Sequence, residues 1–162
     1  MLDRRTFTFA TLLAAAGPAA AAAPSQLVPA PDGAFAGTWK VTRKGDKLRI
    51  TLTVHNRSDR AADVQVQWGH QPGAAVLAYA EGAELTRVLT DVERRDVMSR
   101  VGPRPVFAAV PAGQSVELAP YLFQLADPDT VEVVVTATVE TDRGSVALAE
   151  QVLRLDGAEP AT

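Results

Sequence analysis

The stretch LRITLTVHN, residues 48–56, admits little besides a β-strand. Leu48, Ile50, Leu52 and Val54 alternate with Arg49, Thr51, Thr53 and His55. A period of two sends one set to a core and the other to the opposite face, whereas a helix would scatter both sets around its surface. The same rhythm returns where Val64, Val66 and Trp68 form an inward row with Gln65 and Gln67 outside. It returns again where Val131, Val133, Val135, Ala137 and Val139 alternate with Glu132, Val134, Thr136, Thr138 and Glu140. TWKVTR reads as the first strand, and KGDK, NRSDRA and DRGS supply the turns, the last leading into a final strand over 146–155. Short strands at this spacing, broken by turn residues, predict an all-β sandwich.

The middle of the chain is less regular. In ELTRVLTDVERRDVMSRV, Leu85, Val88, Leu89 and Val92 have helical spacing, but the Thr and Val content also suits a strand. Residues 84–100 are read as a strand and a charged loop, with a short helix as the alternative. Pro103 and Pro105 suit an edge or a connector, and Pro111-Ala112-Gly113 marks a turn.

Arg4 and Arg5, followed by an alanine-rich apolar run, have the layout of an export signal over residues 1–22 and resemble the twin-arginine type. Gly17 and Pro18 interrupt that run, which is short for the ~20 apolar residues of a membrane span. Residues 23–34 read as a flexible lead-in, 35–156 as the sandwich domain and 157–162 as a disordered tail. The expected location is the periplasm or the exterior. Removing Asp3, Arg4 and Arg5 takes the formal net charge from -3 to -4. A mildly acidic domain gives no electrostatic reason to expect nucleic acid as a partner, or an anionic membrane. The chain has no cysteine, which excludes disulfides, thiol nucleophiles and thiolate metal sites.

No arrangement of residues suggests catalysis. There is no nucleophile elbow, Ser145 falls at a hairpin, and no residue visibly orients either histidine. No catalytic residue and no cofactor is therefore expected. His55, His70 and Met98 are the candidates for a metal site, but a site needs three or four converging ligands and none is assigned. Asp127 to Asp129 reads as turn chemistry rather than a calcium loop, which takes six or more oxygens. Arg94 and Arg95 could contact an acidic partner. Trp39, at the start of the first strand, is a candidate partner anchor or a core residue; Trp68, on an inward row, is expected in the core.

LRITLTVHNRSDRAADVQVQ together with VPAGQSVELAP resembles bacterial exported immunoglobulin-like domains. The resemblance implies an immunoglobulin-like antiparallel β-sandwich of about seven to eight strands. Two families share parts of these motifs. Periplasmic copper chaperones are similar over roughly residues 48–125, but Thr86, Leu122 and Gln124 stand where that family has its ligands, so the resemblance implies a degenerate site. Curli-assembly chaperones are similar in VPAGQSVEL and ADPDTVEVVVTATV, over about 110–155. From this the expected function is a non-enzymatic protein-binding module acting on another exported protein. The alternatives are a copper-chaperone-like metal handler and an enzyme accessory or inhibitor domain using residues 93–104.

Overall fold

The computed structural model describes residues 28–29, 33–99 and 102–155. The expected export signal, most of the lead-in and the expected tail lie outside these residues. The elements in chain order are β1 (Val28–Pro29), β2 (Phe35–Lys44), β3 (Lys47–Asn56), β4 (Ala62–Trp68), β5 (Gln71–Pro72), β6 (Ala75–Ala80), β7 (Ala83–Glu84), β8 (Thr86–Arg87), α1 (Asp91–Met98), β9 (Pro105–Val110), β10 (Ser115–Glu117), β11 (Tyr121–Gln124), β12 (Glu132–Thr141) and β13 (Gly144–Arg154). The described chain is all-β but for one short helix, and every strand pairing is antiparallel.

The strands make two sheets. The first runs β1-β2-β3-β11-β8, with β10 also on β3; the second runs β5-β4-β12-β6-β7, with β13 on β12 and β9 on β4. The alternation read from the sequence is realised on β3, where Leu48, Ile50, Leu52 and Val54 are fully buried. On β12 it places Val133, Val135, Ala137 and Val139 inside. Val131 precedes that strand and is exposed. Burying these rows between the two sheets removes apolar surface from water, the main favourable term in folding. The β6–β7 connection is a two-residue turn in which Glu81 and Gly82 both take positive φ, the conformation that matches strand twist in a hairpin.

β1 was not anticipated, since it lies in the expected lead-in; Val28 pairs with Gly37 and Pro29 with Ala36. Trp39 is a further correction. The indole is 2% exposed and belongs to the core, so it is no surface anchor. Gly37 makes room for it: a Cβ on Gly37 would meet Leu148, Leu52 and the Trp39 Nε1.

Asn56, the last residue of β3, is buried and organises the next connections. Its Nδ2 donates to Arg60 O at 2.8 Å and Val110 O at 2.9 Å, while its Oδ1 accepts from Ser58 N and Oγ. Asp127 does the same for the turn before β12, accepting from Asp129 N at 2.7 Å. This is the turn role read from the sequence.

Candidate functional site: an open sheet edge beside a pinned helix

The distinctive corner of the molecule begins with a break in the alternation of β4. Gln65 pairs with Phe107 and Gln67 with Val106, so Val66 is an extra residue on its strand, a β-bulge. At a bulge two residues stand against one on the partner strand, so the strict alternation fails there. Gln65, expected outside, is buried and donates from Nε2 to Gly73 O at 3.0 Å. Trp68, expected in the core, is 42% exposed.

Immediately after Trp68 the chain turns through Gly69, at φ +63°. A Cβ there would collide with the Asp96 carboxylate and with Pro103. This glycine therefore permits the close approach of three segments: the end of β4, helix α1 and the start of β9. Gly69 N also donates to Arg104 O at 2.9 Å.

Helix α1 starts with a capping box. Thr90 Oγ1 accepts from Glu93 N at 3.2 Å, and the Glu93 carboxylate accepts from Thr90 N at 2.7 Å. Two acidic residues then pin the helix to the body. Glu93, buried, accepts from Arg87 of β8 at 2.9 Å; Arg87 lies over the Tyr121 ring, 5.0 Å from its centroid. The Tyr121 hydroxyl donates to Ala74 O at 2.9 Å, and burial pushes its pKa far up, so it stays a neutral donor. Asp96 accepts from His70 N at 2.5 Å and from His70 Nδ1 at 2.8 Å. The segment expected as a strand and charged loop is thus two short strands and a helix, held to the first sheet through Arg87 and to the second through His70.

The backbone bond from His70, followed by the ring bond, holds Asp96 below the ordinary carboxylate value of 3.8. A carboxylate with a depressed folded pKa contributes stability above its unfolded pKa and loses it as the pH falls through the folded one. The melting temperature of Asp96→Ala is therefore expected to lie below that of the parent at pH 6. The gap should close as the pH drops below about 4. A gap of the same width at pH 6 and in strong acid would show that the charged pairing contributes nothing.

The candidate metal ligands do not converge. His55 lies half-buried on the outward row of β3, with its Nε2 in a 2.7 Å hydrogen bond with Thr38 Oγ1; burial, and then Arg57, hold its pKa below 6.5. His70 lies in the turn between β4 and β5 and is paired with Asp96, and Met98 is exposed at the end of α1. Among the described residues no group of three or more His, Cys, Asp or Glu is placed to hold a metal. Arg94 and Arg95 are exposed on α1, Arg94 pairing with Asp91 at 2.6 Å and Arg95 Nε donating to Asp91 O at 3.3 Å.

Around this corner large apolar side chains gather at the surface among the charged residues of α1. Eight large apolar side chains are exposed among the described residues, and Trp68, Val92, Val97, Met98, Val106 and Phe107 all belong to β4, α1 and β9. β9 pairs with β4 and with no other described strand. Natural sheet edges are normally protected by charges, prolines or bulges, because unpaired backbone groups invite another strand. β9, PVFAAV, has one proline at its first position and no charge. Nothing in the alternation of the sequence marks this edge as open; Pro103 and Pro105 were the only signal for it.

No family model matches the chain, and no curated protein matches it. Among solved structures, the crystal structure of Northeast Structural Genomics Consortium target SoR45 is similar to it at a TM-score of 0.41 and 10% identity, covering 81% of this chain and 94% of the other. Among the described residues no helix is long and apolar enough to cross a membrane.

Proposed function

We propose that this chain is an exported, non-enzymatic protein-binding module with an immunoglobulin-like sandwich fold. It takes an extended apolar segment of another exported protein as an added antiparallel strand along β9. The observation that carries this reading is the uncovered, uncharged β9 edge beside Trp68, with Val106 and Phe107 each nearly half exposed. In strand addition the backbone supplies hydrogen bonds and alternate side chains supply selectivity. Here β9 would supply the backbone groups, while Trp68 and the exposed Val92, Val97 and Met98 of α1 would select apolar side chains.

Phe107→Lys places a charge on this edge without touching the core. Affinity capture from periplasmic extract should recover a partner with the parent chain and at least about tenfold less with Phe107→Lys, the effect of losing ~1.4 kcal/mol. The melting temperature should stay the same. Equal capture by both proteins would refute β9 as the docking edge.

A further inference from the structure

The outer face of the first sheet carries a charge that the whole chain does not. The formal net charge is -3, yet Lys40, Lys44, Lys47 and Arg49 are all exposed on neighbouring outward positions of β2 and β3. The register sets Lys44 opposite Lys47, Thr42 opposite Arg49 and Lys40 opposite Thr51. None of the four cations takes part in the ion pairs of the described residues. Like charges directly opposite each other on a sheet are destabilising, and outward positions leave the residue choice free of packing demands.

Two further observations turn this patch into a site. Lys40, Thr42, Arg49 and Thr51, with Glu117 at one side, line a concavity of about 200 Å³. It combines a guanidinium fork, an ammonium and two hydroxyls, a donor set suited to an anion with several oxygens. The next outward row, Lys44 and Lys47, lies roughly 7 Å further along the strands, two residues at the strand rise. Two acidic groups oppose the four cations: Glu117, and Asp46, which already accepts from Gln124 Nε2 at 2.6 Å. No aromatic side chain lines the concavity, so it offers no platform for stacking a base.

From this we infer that the outer face of β2 and β3 is a binding site for a compact anion bearing two or more linked phosphates. The concavity holds one phosphate through Lys40, Arg49, Thr42 and Thr51, and Lys44 and Lys47 meet the next. This surface is separate from β9 and independent of the strand-addition reading.

The test is a titration of the full chain with sodium tripolyphosphate at constant ionic strength, since screening alone weakens exposed charges. It is read by calorimetry and by amide chemical shifts. Saturable binding is expected, with shifts confined to residues 40–51 and 117. Lys40→Gln and Arg49→Gln should each weaken it about tenfold, as loss of a charge-assisted hydrogen bond does. The Lys44→Gln/Lys47→Gln double variant should also bind more weakly, with a melting temperature no lower than that of the parent. Phosphatidylglycerol vesicles form the second arm. Binding to vesicles without binding to tripolyphosphate would overturn the proposal, as would an unsaturable titration or unchanged affinity in Lys40→Gln and Arg49→Gln.

Discussion

Trp39→Ala is expected to lower the unfolding free energy by about 3–5 kcal/mol, the usual range for deleting a buried aromatic. The indole is 2% exposed, and its strand partner Leu52 is fully buried. Gly37, two residues away, has no side chain to collapse into the vacated space, so the cavity should stay largely open. Domains of this size have a total stability of about 5–15 kcal/mol, so the loss is a large share of it. Urea denaturation followed by circular dichroism measures the loss directly. A loss below ~1 kcal/mol would mean that the ring is not packed between the sheets.

Asn56→Ala should cost about 2–4 kcal/mol, by a different mechanism. Its side chain ties the β3 end to the carbonyls of Arg60 and Val110 and receives two bonds from Ser58. Alanine leaves the buried Val110 carbonyl short of a donor and frees the turn after β3. An unsatisfied buried polar group costs more than the net worth of the bond it lost. Asn56→Asp distinguishes the two roles: its carboxylate can still accept from Ser58 but cannot donate to Val110. Its melting temperature should fall nearly as far as that of the alanine variant. If Asn56→Asp is as stable as the parent, the donated bonds carry no weight.

The sequence revealed the sheets where the two-residue period runs unbroken, as on β3 and β12. It misled on β4, because the extra residue at Val66 breaks the alternation and no local composition announces a bulge. Gln65 beside the bulge is buried and Trp68 after it is exposed, while Gln67 stays outside as expected. Trp39 stands at the head of TWKVTR, where the alternation is short, yet the parity of Trp39 and Val41 against Lys40 and Thr42 points the indole inward. The helix did leave a trace, since Thr90 and Glu93 stand at capping-box spacing, but at eight residues its periodicity is too short to outweigh the β-branched content. The pairing of His70 with Asp96 spans 26 positions and depends on the fold bringing the turn after β4 to α1. Net charge, finally, is a sum: a total of -3 says nothing about four cations gathered on one face.

Helix α1 holds on to both layers at once, through Arg87 on one side and His70 on the other. It therefore works as a clasp: the sheets cannot slide past each other at that corner unless one fastening lets go. Acid strong enough to protonate Asp96 would undo the His70 fastening. Amide hydrogen exchange at Gly69 and His70 would then quicken before the rest of the molecule loosens.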